Sequence, residues 1–106
     1  MKNKQLQRII NEFRTEMKKL ISPAPEKIIL FGSHARGDVV EGSDIDLLLI
    51  FNRKVSSKTM NKIRGVSNLI SFKNDVVISE FLFTNRDFKE YKTPFLMNVK
   101  KEGILI

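Results

Sequence analysis

The chain has 106 residues, enough for one domain, 1–106, with a core of limited size. It contains no cysteine, which excludes disulfides, thiolate zinc sites and a cysteine nucleophile. Its net charge of +7 favours anionic partners, nucleotides among them, although the basic residues are scattered and not gathered into a block.

The opening Met1-Lys2-Asn3-Lys4-Gln5 is polar and lacks the apolar stretch of a secretory signal. The longest apolar run, residues 47–51, is too short to cross a bilayer, so a soluble, cytoplasmic protein without membrane contact is expected. Residues 4–21 predict an amphipathic helix, because Leu6, Ile9, Ile10, Phe13, Met17, Leu20 and Ile21 recur at helical spacing. Ser22-Pro23-Ala24-Pro25 ends it. Residues 26–31 read as a buried strand closed by Gly32, residues 33–36 as a short helix and residues 37–43 as a polar connector. Residues 44–51 form a second strand, almost wholly apolar after its two aspartates. Ser56 and Ser57 are N-cap candidates for a helix to about residue 72, with Met60, Ile63, Val66, Leu69 and Ile70 as its inner face. Residues 74–83 predict a third strand. Thr84 caps a helix running through Asp87, Phe88 and Tyr91. Pro94 opens a last helix that ends at Gly103, and residues 104–106 form a terminal strand or a frayed tail. This order predicts an α+β fold: a small mixed sheet of three to four strands with helices packed mainly on one face.

Chemistry concentrates at the ends of these elements. In a strand, side chains alternate faces, so Asp44 and Asp46 point to one side. Two carboxylates held together repel each other, and a strand otherwise made of Leu47, Leu48, Leu49 and Ile50 has no structural use for the pair. A hard divalent cation resolves the repulsion, and magnesium leaves positions open for substrate phosphates. Asp75, at the expected start of the third strand, is the candidate third ligand. Glu80 falls on the opposite face and is the weaker candidate. Three such carboxylates would suit two metal ions roughly 3.5–4 Å apart. Gly32 lets a phosphate approach the backbone, Ser33 offers a hydroxyl at a helix start, and Arg36 lies one turn further on for a phosphate oxygen. The spacing of Gly32 and Gly37 is that of a P-loop, but Asp38 and Val39 stand where lysine and Ser/Thr are required, so that reading is rejected. His34 reads as a surface residue or an acceptor-side contact.

These residues resemble a known family. Gly32-Ser33, ten residues, then Asp44-x-Asp46 is similar to the signature of the DNA polymerase β nucleotidyltransferase superfamily, and GSHARGDVVEGSDIDLLL resembles its minimal nucleotidyltransferase (MNT) branch of the MntA antitoxin type. The resemblance continues through Asp75-Val76-Val77, Pro94-Phe95 and Lys101-Glu102-Gly103-Ile104, and so covers nearly the whole chain. His34 departs from it, where arginine is more usual. The resemblance implies transfer of AMP from ATP, with Asp44, Asp46 and Asp75 as catalytic metal ligands for magnesium, two ions in all. Asp75 would also take the acceptor's proton, and Gly32, Ser33 and Arg36, with Asp44 and Asp46, would bind the nucleotide. It further implies an antitoxin that forms a hetero-complex with a HEPN-type toxin and adenylylates a tyrosine of it, without direct nucleic-acid binding. The alternatives are modification of an aminoglycoside-like small molecule and a non-catalytic module that silences a toxin by contact.

Overall fold

A computed structural model describes residues 3–39 and 42–106. The first helix, α1 (Asn3–Leu20), buries Ile9, Ile10, Phe13 and Met17 of the expected stripe, while Leu20 at its end is exposed. Strand β1 (Lys27–Phe31) follows, then the short α2 (Ser33–Arg36) and strand β2 (Ile45–Phe51). Helix α3 (Ser57–Asn74) starts where Ser56 Oγ accepts the Thr59 N–H. After β3 (Ile78–Thr84), Thr84 caps α4 (Asn85–Glu90) through the Asp87 N–H. Thr93 caps α5 (Pro94–Glu102), with Pro94 in the first turn where its missing N–H costs nothing. The chain closes on a two-residue strand, β4 (Ile104–Leu105).

The sheet has the order β3-β2-β1-β4. Strand β1 is antiparallel to β2 and to β4, whereas β2 and β3 are parallel and joined through α3. One face carries Ile28, Leu30, Ile45, Leu47, Leu49 and Ile78, packed against α1 and α3. On the other face, Leu96 and Val99 of α5 pack on Phe31, Leu48 and Ile50. The two long helices therefore share one face, and a smaller layer covers part of the second. Strand β2, central and covered on both sides, is buried at every position but Asp46. Glu12 of α1 accepts bonds from Lys73 (2.7 Å) and Asn74 (3.2 Å), tying α1 to the end of α3.

Two expectations are corrected. Helix α3 runs past residue 72 to Asn74, whose side chain bonds to the Ile70 carbonyl (2.9 Å), and Asp75 is its C-cap in the left-handed region at φ 53°. The third strand consequently begins at Ile78 and not at residue 74, since Asp is among the few residues that take that conformation cheaply. Met60 and Leu69, assigned to the inner face of α3, are exposed; the stripe that reaches the core is Ile63, Val66, Ser67 and Ile70. Val40 and Glu41 of the predicted connector lie outside the described residues. No described helix is long and apolar enough to cross a membrane.

Candidate active site

The site grows from the turn between β1 and α2. Phe31, the last residue of β1, stands opposite Asp46 in the antiparallel register. The chain then turns at Gly32, whose φ of 77° and ψ of −157° fall in a region open essentially to glycine alone. A β-carbon on Gly32 would also collide with Asp46 Oδ2. Backbone and carboxylate are thus pressed together, for which no other residue leaves room. In α2, Ala35 and Arg36 donate to the Gly32 carbonyl (3.1 and 3.0 Å) and Gly37 donates to that of Ser33 (2.9 Å). The Ser33 and His34 N–H groups, in the first turn, have no intrahelical acceptor. His34 Nε2 lies 3.3 Å from the Ser43 carbonyl and so links α2 to the connector that enters β2.

Asp44 immediately precedes β2 and is exposed; Asp46, two residues on, is half-buried. Both project on the face opposite the α1–α3 layer, as alternation requires. Ser79 of β3, paired with Asp46 in the parallel register, donates its hydroxyl to Asp44 Oδ2 at 3.0 Å. Burial, and after it the neighbouring Asp44 charge, push the Asp46 carboxyl above the ordinary range, while His34 and Arg36 pull it down. The site therefore favours anything that neutralises Asp46, a proton or a cation.

Of the residues singled out in the sequence, Gly32, Ser33, Asp44 and Asp46 come together at one end of β2. Arg36 is engaged elsewhere, in ion pairs with Asp38 and Glu102, both at 3.1 Å, although its charge still acts on Asp46. Asp75 lies at the same end of the parallel strands as Asp44, three residues before Ile78, but it is exposed at the α3 C-cap. No three acidic or histidine side chains among the described residues are grouped to hold a metal ion. Glu80 faces the other way, as alternation indicated, and pairs with Arg64 at 3.7 Å. Tested against a hard divalent cation, Asp44 and Asp46 fit: two carboxylates on one face, one raised in pKa, with a Gly32 cradle that a β-carbon would fill. Protein ligands beyond these two are not gathered, which suits an ion completed by substrate phosphates.

Two features were missed. Ser79 lies on the same face of the strand as Asp46, but only the observed register shows that the two are neighbours. An aromatic cluster adjoins the pair: the rings of Phe31, Phe81 and Phe95 have centroids 5.3–5.5 Å apart, and Phe83 stacks on Phe95 at 6.2 Å. Phe81 and Phe95 each keep 37% of their surface exposed, a flat apolar ledge beside a polar centre.

The fold thus sets a carboxylate pair on its central strand against a glycine turn that opens a helix. The chain belongs to the nucleotidyltransferase domain family, whose model matches residues 10–106. It is 33% identical over 96 residues to a provisionally named protein adenylyltransferase of Methanocaldococcus jannaschii, covering 91% of this chain and 93% of that protein. A second such protein of the same organism is 34% identical over 98 residues, 92% of this chain and 93% of the relative. Among solved structures, a chain of a toxin–antitoxin crystallised with AMP-PNP superposes with a TM-score of 0.66 at 18% identity, over 90% of this chain and 69% of that one. A chain from a mutant of the MntA–HpeT toxin–antitoxin gives 0.60 at 19% identity, over 100% and 72%. These structures share the fold.

Proposed function

We propose that this nucleotidyltransferase moves AMP from ATP onto a hydroxyl of a partner polypeptide, a tyrosine of a HEPN-type toxin, in the cytoplasm. The observation that carries the reading is the contact of Gly32 with Asp46, which sets an anion-accepting helix start against a carboxylate pair. The names of the two archaeal relatives support protein as the acceptor class, and the toxin–antitoxin neighbours support a toxin as the partner.

In this reading, the oxygen of the acceptor attacks the α-phosphorus of ATP, a new oxygen–phosphorus bond forms, and the bond to the β-phosphate oxygen breaks to release pyrophosphate. Asp44 and Asp46 would hold the magnesium, two ions in the full set, which when bound would supply neutralisation of charge developing on the phosphoryl oxygens. Ser79 holds Asp44 in place by its hydrogen bond. The Gly32 backbone, the Ser33 hydroxyl and the first-turn N–H groups of α2 seat the β- and γ-phosphates. Arg36 joins them by leaving Asp38 and Glu102, an exchange of exposed ion pairs that costs little. Asp75 is the remaining carboxylate at that end of the sheet. It would complete the metal set and receive the acceptor's proton.

The test is intact-mass spectrometry of the polypeptide encoded beside this chain, after incubation with ATP, magnesium and the purified protein. Added AMP on a tyrosine, absent with Asp44→Asn, is the expected result. An unmodified partner that is nevertheless silenced would replace the enzyme by a binding module, and AMP found on an aminoglycoside would move the acceptor to small molecules.

A further inference from the structure

Strand β3 is an edge of the sheet, and its outer side is open. Towards β2, the Ile45 N–H bonds to the Val77 carbonyl (2.8 Å), and the parallel register carries that alternation on through Ser79, Phe81 and Phe83. Ile78, Glu80 and Leu82 therefore turn their N–H and C=O groups outward. The Ile78 N–H is taken by Ser71 Oγ of α3 at 3.1 Å. Among the described residues, no hydrogen bond takes the backbone N–H or C=O of Glu80 or Leu82. Such an edge is a template for another strand, and proteins that leave one open and apolar generally use it.

A groove runs along this edge between β3 and α3. One part, of about 390 Å³, is lined by Met60, Ile63, Arg64 and Leu82. Its neighbour, lined by Arg64, Asn68 and Ser79, ends at the residue whose hydroxyl is bonded to Asp44. The groove thus runs along the open edge on the α3 face as far as Ser79, whose hydroxyl reaches Asp44 on the opposite face.

We propose that the free edge of β3 is where the acceptor docks: an extended polypeptide segment adds to the sheet through the backbone groups of Glu80 and Leu82. This rests on the reading of the site as an AMP transferase acting on a polypeptide. Alternation divides the added segment in two. Side chains on one face enter the α3–β3 groove, which is apolar at Met60, Ile63 and Leu82 and charged where Arg64 pairs with Glu80. Those on the other face lie along Ser79 and the exposed ring of Phe81, on the side where Asp44 and Asp46 project. A hydroxyl-bearing residue placed beside Ser79 is then presented to the α-phosphate, with its register fixed by main-chain bonds and by the residue seated in the groove. Continuity of the edge with the Asp44 hydrogen bond selects the acceptor segment over a second copy, whose symmetric pairing would make no use of it.

The experiment uses the full chain and a library of tyrosine-centred peptides of about nine residues, roughly the length that spans a strand of this size. Amide hydrogen exchange at Glu80 and Leu82 is followed with a non-hydrolysable ATP analogue and magnesium, and AMP addition is followed separately with ATP. Peptides that receive AMP are expected to slow exchange at both amides about tenfold or more, the protection of a formed strand pair. E80P removes one outward N–H without touching the β2 ladder, and is expected to cut peptide modification about tenfold below E80Q, which keeps it. Should E80P fold poorly, the exchange measured on the unmodified chain decides alone. The docking edge is overturned if no peptide slows these amides, if modification is equal in folded E80P and E80Q, or if raising the protein concentration without peptide protects them, which would assign the edge to a second copy. Peptides that protect both amides yet receive no AMP would keep the docking edge and remove the transferase reading.

Discussion

Replacing Gly32 by alanine tests the link between the turn and the carboxylates. Two costs follow from the geometry. The φ of 77° and ψ of −157° would cost alanine about 1–3 kcal/mol in backbone strain. The new β-carbon would also meet Asp46 Oδ2 and stand 3.2 Å from its Cγ, so the carboxylate must withdraw. A displacement of about 1 Å in a positioned group is enough to lower the rate on the order of 100-fold. Gly37 supplies the control, because it too has positive φ, 83°, but its β-carbon would meet nothing within 4 Å. Gly37→Ala carries only the left-handed strain of about 1–2 kcal/mol. In a domain of this size each kcal/mol moves Tm by about 4–8 °C, so both variants melt earlier. Only Gly32→Ala should lose transfer and magnesium-dependent ATP binding when both are assayed well below their melting points. Pyrophosphate release, isothermal titration and thermal unfolding of the pair give the answer. If Gly32→Ala matches Gly37→Ala in rate and nucleotide affinity, the turn is a matter of folding alone and does not place Asp46.

Asp46 itself should cost stability. Its folded pKa lies above the unfolded one, through burial and then Asp44, so protonation favours the fold; that contribution is present below the ordinary carboxylate range and is lost as pH rises through the raised value. Asp46→Asn, measured in EDTA, should therefore be more stable than the parent near pH 7 and lose that advantage in acid, below the ordinary carboxylate range; a lower Tm than the parent at pH 7 would contradict the argument. Asp75→Asn should leave Tm unchanged, since asparagine also suits a left-handed C-cap, and lower transfer about 100-fold or more if the carboxylate joins the site. A loss of less than about threefold would remove Asp75 from the chemistry.

The sequence disclosed those parts of the fold that rest on strong periodicity or local chemistry. The stripe of α1 is one case, and the caps Ser56 and Thr84 are others, because a hydroxyl at a helix start acts within its own four residues. Gly32 and the aspartates were legible as the ends of successive strands, but their contact depends on the antiparallel pairing of β1 and β2, which only the fold shows. What stayed hidden depends on long-range pairing. The start of β3 was misplaced because Asn74 and Asp75 read equally well as strand or as helix end, and bonds from Asn74 to Ile70 and to Glu12 decide for the helix. The pairing of Arg36 with Glu102, 66 positions away, is likewise invisible in the sequence.

The site owes its position to a second layer that stops short. Strand β2 is a buried central strand, and charged residues in such a strand conflict with their surroundings unless a function requires them. The fold accommodates the conflict by covering the two faces unequally. Helices α1 and α3 cover one face of the sheet, whereas α5 covers the other chiefly over Phe31, Leu48 and Ile50. Beyond that patch the same face holds exposed Asp44, half-buried Asp46 and Ser79, and the Phe81–Phe95 ledge. In the proposed reaction, a longer α5 or a larger residue at Gly32 would fill the space assigned to ATP. The uncovered half of this face and the open edge of β3 adjoin at Ser79, so in the proposed reaction nucleotide and acceptor would approach the carboxylate pair from different sides, as in-line displacement at phosphorus requires.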